Sequence, residues 1–128
     1  MNKITVKLED IKAQTQKALV NHGASEITAE SVAEAIKVAE AENNKVCGLY
    51  YLESYCNQLK SNRVDGSVTP EVKKPSNSSV YVDAKNGFAQ PAFAAGFDLA
   101  ISTARENGIC LFTIAHSHTC LLYTSDAA

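Results

Sequence analysis

Val80-Tyr81-Val82, Asn86-Gly87, Pro91 and Ile109-Cys110-Leu111-Phe112-Thr113-Ile114 decide the fold. The first triplet is β-branched and aromatic, which favours a strand. Asn86-Gly87 is a turn pair. Pro91 suits the first turn of a helix, where its missing N–H costs nothing. That helix carries Phe93, Phe97, Ala100, Ile101 and Ala104 and stops at Asn107-Gly108. The run from Ile109 to Ile114 is almost wholly apolar and reads as a strand covered on both faces. Strand, helix and strand in this order form a βαβ unit with a parallel strand pair.

Upstream of this unit the spacing becomes helical. Leu8, Ile11, Ala18 and Leu19 fall near one helix face, and Gly23 stands just past its end. Ser25 is a candidate N-cap for a second helix, whose apolar stripe is Ile27, Val32, Ala35, Ile36, Val38 and Ala39. The pair Asn43-Asn44 should end it. Leu49, Leu52, Tyr55, Cys56 and Leu59 suggest a third helix, with Gly48 at its start. Between the halves, Asp65-Gly66, Pro70, Pro75 and Ser76-Asn77-Ser78-Ser79 mark turns. The expected fold class is α/β. A helical layer of three helices (1–62) is followed by an irregular connector (63–79). A βαβ start of a larger mixed sheet (80–119) comes next.

Composition narrows the function. The 128 residues carry 12 basic and 14 acidic side chains, a formal charge of -2. A general nucleic-acid binder shows a basic patch and a high pI, so no nucleic-acid partner is expected. No apolar run approaches the roughly 18 residues of a membrane span, and MNKITVKLED lacks the apolar core of a secretory signal. The cysteines form no C-x-x-C pair, and they are expected to be reduced thiols in a cytoplasmic protein.

Several motifs occur in a distinctive order: Arg63-Val64-Asp65-Gly66, Val82-Asp83-Ala84, Asn86-Gly87-Phe88-Ala89-Gln90-Pro91-Ala92 and Ser117-His118. They resemble the malate/L-lactate dehydrogenase-like family of NAD(P)H-dependent oxidoreductases, which is not Rossmann-type. Within it the likeness is strongest to the Δ1-piperideine-2-carboxylate/Δ1-pyrroline-2-carboxylate reductases. It covers about Leu8 to Thr119. The resemblance implies reduction of a cyclic imino acid or 2-oxo acid with NADPH or NADH as cofactor, on a small-molecule substrate. It also implies a homodimer for the complete protein. Family members are much longer, so this chain is expected to be an N-terminal fragment, inactive as given.

The same resemblance assigns site positions. In the family a Ser-His-Gly motif, with an Arg four residues after the His, joins the second and third helices. The His moves a proton and the Arg suits the substrate carboxylate, which wants a forked, permanently charged partner. Here Cys47 stands at the His position, Gly48 matches, and Tyr51 stands at the Arg position. Cysteine is a weak substitute for a proton-transferring His. His118 matches the His of the family's Ser-His motif, making it the candidate acid or base. Ser117 and His118 are the candidate cofactor contacts.

Other readings accompany this one. Cys47 also suits a small apolar residue at a helix junction, and Tyr50, Tyr51 and Tyr55 suit packing of the third helix. Phe88 and Pro91 fix the turn, or else the N–H groups of that first turn face an anion. His116, His118 and Cys120 alternate as a zinc set would, yet no fourth ligand is near and no metal is expected. Residues 120–128 resemble one reading frame of a transposase sequencing adapter and are set aside. A divergent non-catalytic paralogue or interaction protein is the alternative function, and a thiol-reactive domain built on Cys47 and His118 is a third.

Overall fold

The computed structural model describes residues 3–118. Helix α1 spans Leu8–Asn21 and α2 spans Glu26–Ala41. A 3₁₀ turn at Leu49–Tyr51 leads into α3, Leu52–Lys60. Strands β1 (Glu71–Ser76) and β2 (Ser79–Asp83) precede α4 (Ala89–Asn107), and β3 (Leu111–Ala115) follows it. The sheet order is β1-β2-β3, with β1 antiparallel and β3 parallel to β2. This is the α/β architecture expected, a helical layer followed by a βαβ unit. No helix among the described residues is long and apolar enough to cross a membrane.

Local chemistry explains the helix ends. At the end of α1 the Gly23 and Ala24 N–H groups donate back to the Val20 and Leu19 carbonyls, at 3.0 and 3.1 Å. That pair of hydrogen bonds requires a left-handed residue at position 23, and Gly23 adopts φ +102°. Ser25 then caps α2, its Oγ accepting from the Thr28 N–H at 3.2 Å. Lys12 and Lys37 bracket Glu34 at 2.9 Å each, tying α1 to α2 on the outer face.

Two departures from the sequence expectation have physical causes. The span 63–79 is not wholly irregular, because β1 lies within it. Its sequence EVKKPS is almost entirely exposed and lacks apolar alternation. Lys73, Lys74 and Pro75, with a register break between Lys73 and Ser76, make it a guarded outer edge. The second departure is β3, which is not covered on both faces. Leu111 is 67% exposed and Ile109 71%. Among the described residues β3 pairs only with β2, so its other edge is open and carries no charge.

Two cores result. Leu19, Val32, Ile36, Tyr55, Leu59 and Val64 pack the helical layer, whereas Val80, Val82, Ala84, Ala92 and Ala100 pack α4 on the sheet. Gly96 lets α4 approach closely: a Cβ there would sit 2.5 Å from Val82 Cγ2 and 2.7 Å from Phe112 Cε2. Phe88 comes from the sheet half yet is 1% exposed inside the helical-layer core. It therefore fastens one half to the other.

Candidate active site

In a parallel pair the carboxyl ends of the strands and the loops beyond them collect functional groups. Asp83 ends β2 directly opposite Ala115, the end of β3. Beyond that point the two chains keep pairing. Ala84 N–H donates to the Ala115 carbonyl at 2.9 Å and Asn86 N–H to the His116 carbonyl at 2.8 Å. His118 N–H donates to the Gly87 carbonyl at 2.8 Å, and Ala89 N–H to the His118 carbonyl at 3.0 Å. Phe88 and His118 thus form a parallel bridge. Ser117 and His118 are half-buried and clamped through the backbone to the start of α4. Because His118 occupies the Ala89 N–H, that group does not face an anion. Phe88 and Pro91 are both buried, as packing of this motif requires.

The helix junction is built differently. Cys47 is half-buried, and its N–H donates to the Asn44 carbonyl at 3.2 Å. Gly48 is buried against Glu40, and a Cβ there would run into the Glu40 carboxylate. Glu40 Oε1 accepts from the Leu49 N–H at 2.7 Å. A side chain at 48 would push this carboxylate off its cap on the 3₁₀ turn. Tyr51 is half-buried and packs on the helical core. Its ring meets Tyr55 edge-on at 5.1 Å, and Tyr55 meets Phe88 edge-on at 5.2 Å. Tyr51 and the His118 bridge therefore flank one aromatic stack. Gln90 Nε2 donates to the Tyr55 hydroxyl at 3.1 Å, and its Oε1 is buried without a partner among the described residues.

Arg63-Val64-Asp65-Gly66 serves the junction between layers. Asp65 N–H donates to the Asn86 carbonyl at 3.0 Å, and the Gly66 carbonyl accepts from Ser25 N–H at 2.9 Å. The Ser67 hydroxyl and N–H hold the Asp65 carboxyl below the usual carboxylate range. Cys120, and with it the His116–His118–Cys120 set, lies outside the described residues, as does the 120–128 segment.

Sequence reasoning missed one pair. His116 Nδ1 lies 3.0 Å from Asp83 Oδ1. The Lys85 N–H donates to the same oxygen at 2.8 Å. These two contacts, the backbone one first, hold the Asp83 carboxyl below its usual range. The available signal was an acidic residue closing one strand and a His closing the next, two strands already expected to run parallel.

This arrangement, a helical layer on a βαβ unit with polar groups at the strand ends, defines a layer of an α/β protein whose candidate site sits at the sheet's carboxyl edge. The chain belongs to the malate/L-lactate dehydrogenase family, whose sequence pattern matches residues 6–127. It is 34% identical over 115 residues to the Delta(1)-pyrroline-2-carboxylate/Delta(1)-piperideine-2-carboxylate reductase of Pseudomonas putida, covering 90% of this chain and 34% of that protein. It is 33% identical over 113 residues to the (2R)-3-sulfolactate dehydrogenase (NADP(+)) of Chromohalobacter salexigens, covering 88% and 34%. The chain thus spans about a third of the length of these relatives. Malate dehydrogenase from Entamoeba histolytica shares the fold at a TM-score of 0.83 and 19% identity, covering 92% of this chain and 33% of that one.

Proposed function

We propose that this chain is the N-terminal part of an NAD(P)H-dependent reductase of a cyclic imino acid or 2-oxo acid. The 34% identity to the Pseudomonas putida reductase over 90% of the chain carries the reading. In it, His118 gives a proton at the reduced bond, and its clamped backbone fixes where the imidazole starts. Toward a nicotinamide cofactor the reading has two candidate contacts. Ser117 and His118 offer hydrogen-bonding groups. No glycine-rich phosphate loop accompanies them among the described residues, and the Ala89 N–H is already taken. When bound, the cofactor supplies the hydride.

Tyr51 favours a second reading, a non-catalytic divergent paralogue. It occupies the position of the carboxylate-binding Arg, and its ring packs on Tyr55. One assay separates the two. The chain as given is expected to show no cofactor oxidation above a buffer control with NADH or NADPH against Δ1-piperideine-2-carboxylate, Δ1-pyrroline-2-carboxylate or pyruvate. A family-length protein carrying this chain is expected to turn over at least one of them. Failure with every substrate would leave the non-catalytic reading standing.

A further inference from the structure

The Asp83–His116 pair is not explained by packing. The His116 side chain is 63% exposed and that of Asp83 26%, so no core depends on their contact. The backbone around them is strained. Lys85, Asn86 and His116 all take left-handed φ values, of 52°, 63° and 50°, without being glycine. Such conformations persist only where the surroundings hold them, and they collect at functional sites. Here the hold is visible: Asn86 N–H donates to the His116 carbonyl, and Lys85 N–H and His116 Nδ1 converge on one Asp83 oxygen. The pair also lies at the carboxyl edge of β2 and β3, two residues before His118.

We propose that Asp83 and His116 form a proton-transfer dyad, in which Asp83 holds Nδ1–H and His116 presents Nε2 to a substrate imine nitrogen or carbonyl oxygen. This assignment rests on the reductase reading and moves the proton-donor role within it from His118 to His116, leaving His118 as a cofactor contact. A carboxylate that accepts from Nδ1–H sets the tautomer and orients the ring, leaving Nε2 as the working atom. The step balances. Hydride addition to the carbon of a C=N bond moves the π pair onto nitrogen. That nitrogen takes the Nε2 proton of the imidazolium. His116 is left neutral, with its remaining N–H on Asp83, and solvent returns the proton to the exposed ring. Asp83 suits the role because its carboxyl is already held in the ionised form.

The chain contains its own reference. His22 Nδ1 contacts the Ala18 carbonyl at 2.7 Å, so it has the same geometry with a neutral acceptor. The test uses the isotope-labelled 128-residue chain without cofactor. Long-range proton–nitrogen correlations at mildly alkaline pH are expected to show His116 as the Nδ1–H tautomer. Acylation by diethyl pyrocarbonate, read residue by residue by mass spectrometry, is expected to slow at His116 by about two- to fivefold in Asp83→Asn, the span an exposed ion pair supports. His22 should be unchanged. Asp83→Asn keeps an oxygen for the Lys85 N–H, so the turn survives while the charge is lost. An Nε2–H tautomer in the unaltered chain, or an acylation rate indifferent to Asp83→Asn, would overturn the dyad. Neither readout involves turnover, so their failure returns the proton-donor role to His118 alone and leaves the reductase reading intact. In a family-length protein, His116→Gln is expected to lower kcat by about 10²-fold or more with KM little changed. An unaltered kcat there would remove His116 from the reaction even if the tautomer were as expected.

Discussion

Replacing Phe88 by Ala should be the most informative single change in this chain. Phe88 is fully buried, lies in the helical-layer core, and comes from the segment that bridges His118. Truncating a buried Phe costs about 3–5 kcal/mol through lost transfer energy and the cavity left behind. The edge-on contact with Tyr55 at 5.2 Å accounts for about 0.5–1.5 kcal/mol of that. Domains of this size are stable by only about 5–15 kcal/mol, so the variant should lose about a fifth of its stability or more. Phe93→Ala is the control. Phe93 is 48% exposed and stacks on Phe97, and its loss should cost about 1 kcal/mol. Urea unfolding followed by far-ultraviolet circular dichroism measures both. Amide exchange at His118 gives a second readout, because its N–H bonds to Gly87 beside Phe88. That amide should exchange faster in Phe88→Ala than in Phe93→Ala. If Phe88→Ala costs no more than Phe93→Ala, the two layers are not fastened through this ring and the reasoning fails.

Ser25→Ala removes the cap on the Thr28 N–H and should cost about 0.5–2 kcal/mol in the same urea assay. Gly108→Ala places a side chain at φ +79° and should destabilise by about 1 kcal/mol, with Ala94→Gly on the exposed face of α4 as a propensity control. The Lys12 and Lys37 hydrogen bonds lower the Glu34 carboxyl, and the Ser67 hydroxyl lowers that of Asp65. A group lowered on folding contributes stability above its unfolded value and loses it as pH falls through its folded value. Thermal melts should therefore show Tm dropping across the acidic carboxylate range, and Glu34→Gln should flatten that limb; an identical acid limb would refute the assignment. The open β3 edge should make the chain self-associate and bind apolar dyes, and Leu111→Lys should reduce both in light scattering and dye titration.

Much of this protein was legible along the chain because it is local. Helix periodicity, the Ser25 cap, the stops at Gly23 and Gly108 and the βαβ order each depend on residues a few positions apart, and each has its counterpart in the structure. The motifs around Asn86 and His118 were legible as a resemblance, and the family match agrees with it. Strand β1 was not legible, because an exposed edge strand made of Lys, Pro and Ser has no burial pattern to display. It exists because β2 offers it an edge.

The site depended on tertiary structure for the same reason. Residues 40 and 48 meet across a turn, and only that contact shows what the absent side chain at 48 leaves room for. Resemblance places Tyr51 at the substrate-carboxylate position and its place with Tyr50 and Tyr55 suits packing of the third helix; the fold sets its ring against Tyr55. Asp83 and His116 are 33 residues apart and become neighbours only because the β2–β3 register places Asp83 opposite Ala115. Sequence by itself determined the helical segments and the strands β2 and β3, because those preferences arise from each residue and its near neighbours; the edge strand β1 was left to pairing. Tertiary structure alone decided which side chains face one another, because register and layer packing are set by contacts between segments far apart in the chain.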